Sequence, residues 1–182
     1  MKKILATLFA VIALTFAGAS AASATDPCAT SCGGPYVQEE TGWGSGTPFD
    51  GENWSMYSYG CNCAQLIAGN PKNDYKNGSS AVGNISFSRL SNGTTTITIK
   101  LFAAKFVDDP VVHIAWFNSD FSAFVNKSGN PVPGNFPFNS DRMPYPSGVD
   151  IVWSADGRTA TITGLPQTTY YAIHTEVLTV AD

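Results

Sequence analysis

Two histidines, His113 and His174, are the side chains in this 182-residue chain best suited to acid–base or metal chemistry. His113 lies in Val111-Val112-His113-Ile114-Ala115-Trp116-Phe117, and His174 in Tyr171-Ala172-Ile173-His174-Thr175-Glu176. Both runs have the apolar, β-branched and aromatic composition of strands. Period two then puts His113 on a face with Val111, Ala115 and Phe117, and His174 on a face with Ala172 and Glu176. If the strands are neighbours, the imidazoles converge. A carboxylate, Glu40 or Glu176, would complete a two-histidine, one-carboxylate set for zinc or iron. The spacing alone does not demand this, because each ligand comes from a different strand and strand histidines commonly serve as hydrogen-bonded structural residues.

Other catalytic signatures are missing. The chain has no G-x-S-x-G elbow, no H-E-x-x-H pair and no Gly-rich phosphate loop. No pair of acids stands out for glycoside hydrolysis. Asp108, Asp109 and Asp141 read as exposed turn acids, since an EF-hand register is absent. The expectation is therefore a protein without catalytic residues or cofactor. The alternative is a metal-dependent enzyme built on His113, His174 and Glu40.

Aromatic residues offer a different chemistry. Tyr36, Trp43, Phe49, Trp54, Tyr57 and Tyr59 crowd one Gly- and Pro-rich segment. Their plain role is packing, because large rings are usually buried. Their sharper role is a flat platform for sugar rings, for which Trp43, Trp54 and Tyr57 are the candidates.

The rest of the chain sets the compartment. Lys2 and Lys3, the apolar run Ile4–Phe16 and the Ala22-Ser23-Ala24 pattern read as a signal peptide over residues 1–24. The apolar run is shorter than the roughly 20 residues of a membrane span, and no later segment reaches that length. Residues 25–182 then form a single secreted domain without a transmembrane segment. Without Lys2 and Lys3 the chain keeps eight basic residues against fourteen acidic, a net charge of −6. With no basic run, nucleic acid is excluded as a partner.

Four cysteines, Cys28, Cys32, Cys61 and Cys63, lie early in this domain. An even count in an exported protein argues for two disulfides. A Cys61–Cys63 bond would close a very small ring, so cross-pairing with Cys28 and Cys32 is expected, and both cross-pairings are open. Four thiolates on zinc are the competing arrangement.

The elements that must position these groups are strands. Ile85 and Phe87 alternate with polar residues, and Ile97, Ile99 and Leu101 do the same after Asn92-Gly93, which predicts a hairpin with a two-residue turn. Val111–Phe117 predicts a further strand, and Val149–Trp153 with Thr159–Thr163 a second hairpin about Asp156-Gly157. Thr169–Val180 is the last strand. Residues 25–60 read as irregular up to a strand beginning near Trp54. The stretch from Val125 to Phe138, with three prolines and two glycines, predicts an ordered crossing that rests Phe136 and Phe138 on a core. The fold class is all-β: a two-sheet antiparallel β-sandwich with a disulfide-linked, aromatic N-terminal segment.

Several motifs resemble a family of secreted bacterial β-sandwich modules found in adhesin-like surface proteins. They are Glu40-Thr41-Gly42-Trp43-Gly44-Ser45-Gly46-Thr47-Pro48-Phe49, Asn53-Trp54-Ser55-Met56-Tyr57, Leu66–Gly69, Val82–Ile85 and the Gly-Asn-Pro-Val-Pro-Gly-x-Phe-Pro run at 129–137. The family's strand histidines match His113 and His174. The cysteine pairs, and Val112 before the first histidine, depart from the pattern. The resemblance implies a location at the cell surface and a role in attachment, with no established reaction. Taken together, these readings predict a non-catalytic secreted surface or matrix protein that binds glycans or associates with itself.

Overall fold

A computed structural model describes residues 36–61, 63–69 and 81–180. The expected signal peptide, Cys28 and Cys32 lie outside the described residues. Alternation builds the first hairpin. Strands β5 (Ala81–Arg89) and β6 (Thr94–Leu101) pair antiparallel, with Ile85 opposite Ile99 and Phe87 opposite Ile97. Ile85, Ile97 and Ile99 are fully buried. The turn differs from expectation. Leu90 N–H bonds to the Thr94 carbonyl, so three residues, Ser91, Asn92 and Gly93, form the loop, with Gly93 at φ +80°. Asn92 Oδ1 accepts from the Thr94 amide and hydroxyl, which favours this longer loop over the two-residue one.

The described residues form ten further strands: β1 (Tyr36–Gly44), β2 (Thr47–Pro48), β3 (Met56–Tyr59), β4 (Ala64–Ala68), β7 (Ala104–Phe106), β8 (Val112–Phe117), β9 (Phe138–Asn139), β10 (Asp150–Trp153), β11 (Thr159–Pro166) and β12 (Tyr170–Val180). Hydrogen bonds connect all twelve into one antiparallel sheet, running β10-β11-β6-β5-β4-β1-β12 and on to β8 and β9. No helix among the described residues is long and apolar enough to cross a membrane.

β1 falls where the sequence predicted irregular chain. Its glycines are strand residues set against crowded neighbours rather than turn formers. A Cβ on Gly44 would stand 2.9 Å from Ser58 Oγ and 3.1 Å from Ile85 Cδ1; one on Gly42 would stand 3.2 Å from Thr175 Cγ2.

β12 lies at the centre, bonded to β1 along one edge and to β8 and β7 along the other. Residues 171–173 are buried on both faces, while Glu176 is exposed. Tyr171, Ile173 and Val177 enter a largely aliphatic core with Leu66, Ile85, Ile97, Ile99, Ile114, Phe138 and Ile162. Ala172 on the reverse face joins Trp43, Phe49, Met56, Ile67, Ala115, Phe117 and Phe136.

The crossing packs as expected. Phe136 and Phe138 are 2% and 0% exposed, one in each core. Its loop is tied internally by Asn126 Oδ1, which accepts from the Ser128 and Asn130 amides, and by the Val132 amide bonded to the Phe124 carbonyl. Residues 122–124 form a short 3-10 turn, and residues 133–135 form another.

Candidate functional site

Register decides which candidate residues meet. His174 stands opposite Trp43 of β1 on one side and opposite His113 of β8 on the other; His113 in turn stands opposite Asn139 of β9. Directly opposed residues share a face, so Trp43, His174, His113 and Asn139 form one lateral row across four strands. The imidazoles lie 5.4 Å apart between ring centres, tilted by 23°, and Trp43 meets His174 edge-on at 4.9 Å.

Glu40 does not join them. It pairs with Val177, whereas Trp43 pairs with His174, and the odd separation along both strands puts Glu40 on the opposite face of the sheet. Glu40 instead accepts from Gln38 Nε2. The carboxylate that approaches the pair is Asp141, whose Oδ1 is 3.4 Å from His113 Nε2. Nothing periodic marks Asp141 in the sequence, because it sits in the turn after β9. Among the described residues no group of three or more histidines, cysteines and acids is placed to hold a metal ion.

Burial governs the charge of the pair. Desolvation pushes His174 down to about 4, with the neighbouring His113 adding to the effect. His113 is also lowered by burial, opposed by the negative charge of Asp141. Both rings are neutral at pH 7.

The aromatic candidates divide. Trp43 and Trp54 line a cleft of about 320 Å³ together with Thr41, Asn53, Ser55, Pro131, Pro133 and His174. Tyr57 is not in the cleft. It is enclosed by Phe49, Phe117 and Tyr170, with ring centres 5.1, 5.2 and 5.3 Å away, and serves the packing role. One wall of the cleft is the proline crossing, which sequence reasoning identified as ordered without linking it to the tryptophans. That wall is held in place: Asn130 Oδ1 accepts from the Asn53 amide, and the Gly134 carbonyl accepts from Arg142 Nη1. Phe136 supports Trp43 from below at 6.3 Å.

No protein-family model, curated protein or solved structure matches the chain.

Cys61 and Cys63 are both exposed, on the turn between β3 and β4, and no disulfide forms among the described residues. The expected partners Cys28 and Cys32 lie outside those residues.

Proposed function

We propose that this chain is a secreted, non-catalytic binding domain whose cleft between Trp43, Trp54 and the proline crossing takes a glycan. The observation that carries the reading is the composition of that cleft. Trp54 and two prolines supply apolar surface over the nearly buried Trp43, while Thr41 and Asn53 supply short neutral hydrogen-bonding groups. A saccharide ring presents the same alternation of apolar faces and hydroxyl edges. The crossing is bonded into position beforehand, so little ordering cost remains for binding. The surrounding deficit of basic residues suits a neutral ligand better than a phosphorylated or nucleic-acid one.

In this reading the single sheet folds over its aliphatic core as the two layers of a β-sandwich, in keeping with the resemblance to bacterial surface modules. Disulfides from Cys28 and Cys32 to Cys61 and Cys63 then tie the N-terminal segment down. Attachment to cell-surface or matrix glycans is the role that follows, and self-association through open strand edges is the competing route to the same end.

The test is a glycan array followed by calorimetry on any hit. Trp54→Ala is expected to weaken binding at least roughly tenfold, equivalent to about 1.4 kcal/mol, with the fold intact. A protein that binds no glycan and sediments as a monomer at all concentrations would end this proposal.

A further inference from the structure

Three side-chain atoms among the described residues are buried with no polar partner: Nδ1 of His113, Nδ1 of His174 and Oδ1 of Asn139, while His113 Nε2 faces only Asp141 Oδ1 at 3.4 Å. Folded proteins leave few such atoms, because each loses its hydration and gains nothing in return. A bound water, an ion or a functional role usually accounts for them. The three belong to residues that stand side by side, His174 opposite His113 and His113 opposite Asn139. Unrelated packing defects would be scattered. Their concentration in one row argues for one shared occupant.

We propose that the His174–His113–Asn139 row binds a single divalent transition-metal ion of the kind that prefers imidazole, such as Zn²⁺ or Ni²⁺. Imidazole nitrogen is a strong ligand for these ions. Two imidazoles on one tetrahedral ion, with metal–nitrogen bonds of about 2 Å, have ring centres roughly 5 Å apart. The observed separation is 5.4 Å. Asn139 donates from Nδ2 to the Phe136 carbonyl at 2.9 Å, which leaves its amide oxygen as the third donor atom. Asp141, near His113 Nε2, is placed to hold the proton on that nitrogen and so leave Nδ1 as the lone pair, the usual role of a carboxylate behind a metal-bound histidine. The ion would enter through the cleft, which His174 lines, or past the half-exposed Asp141. The donor set differs from the sequence expectation: an amide oxygen stands in the place assigned to Glu40. The proposal does not depend on the cleft binding a glycan.

The experiment uses tag-free protein stripped with a chelator and then titrated with Zn²⁺ at pH 7.5. Calorimetry is expected to show one saturable site per chain. The chain has only two histidines, so nitrogen-15 spectra of the imidazoles report directly on the ligands, and both rings should shift together. His113→Phe and His174→Phe keep the ring packing while removing the donors, and each is expected to weaken uptake at least tenfold. Should either variant fail to fold, the native spectra still decide. Absence of saturable uptake overturns the proposal, as does uptake that leaves both imidazole spectra unmoved, which would assign the ion to the cysteines.

Discussion

The two faces of β12 solve burial in different ways. One face carries Tyr171, Ile173, Thr175 and Val177, all with zero exposure. Strands oppose it, and every polar atom on it is satisfied: the Tyr171 hydroxyl lies 2.7 Å from the Pro166 carbonyl and 2.9 Å from Thr95 Oγ1, and Thr175 Oγ1 donates to the Val111 carbonyl at 2.7 Å. The other face carries Tyr170, Ala172, His174 and the exposed Glu176, and its first three residues pack with the proline crossing and the aromatic segment around Trp43, Phe49 and Trp54. Loops cannot interdigitate as closely as strands. They leave a cleft there, and beside it a row in which His113 Nδ1, His174 Nδ1 and Asn139 Oδ1 have no partner. One face specifies the fold, and the other is available for binding.

That contrast can be broken or sharpened by experiment. The largest effect should come from the sealed face. Ile173→Ala is expected to cost about 2–5 kcal/mol, read as a lower urea midpoint with unchanged slope, and a loss below 1 kcal/mol would show that this face is not closely packed.

Acid should act on the other face. In metal-free protein the folded state holds His174 at about 4, while the unfolded chain titrates near 6.5. Lowering the pH through that window lets the unfolded state take up protons first. The stability is complete above about pH 6.5 and falls by on the order of 2–3 kcal/mol on approaching pH 4. Denaturation curves across that range should show the fall, and His174→Phe should flatten it. An equal slope in the variant would move the acid sensitivity elsewhere.

Gly44→Ala tests the seam between the faces. Its methyl group would press on Ser58 and Ile85, and a loss of roughly 1–3 kcal/mol is expected. The smallest effect belongs to the edge. Val152 on β10 is 62% exposed, and Val152→Ser should change stability by less than about 0.5 kcal/mol; a larger change would mean that this edge is covered in solution.

Most of the strand content was legible because period two is a local property. The isoleucines of β5 and β6, the pairing of Trp153 with Ala160 across the second hairpin, and the seating of Phe136 and Phe138 all follow from neighbouring residue types. β1 was illegible for the opposite reason. Gly42 and Gly44 resemble turn formers until the neighbours that exclude a Cβ are known. The site was half legible. His113 and His174 were paired on the assumption of adjacent strands, which the register bears out. Glu40 was chosen without knowledge of its face, and Asn139 and Asp141 carry no local pattern that could have marked them.

By itself the sequence determined an all-β chain, its principal hairpins and the apolar face of each strand, since alternation along a chain depends only on residue order and the pleat. Tertiary structure alone decided the lateral order β1-β12-β8-β9. With that order it decided that a tryptophan, two histidines and an asparagine from four distant segments would share a row. Hydrogen-bond pairing between strands is nearly indifferent to side chains. The choice of partner and register therefore rests on the packing of the whole molecule.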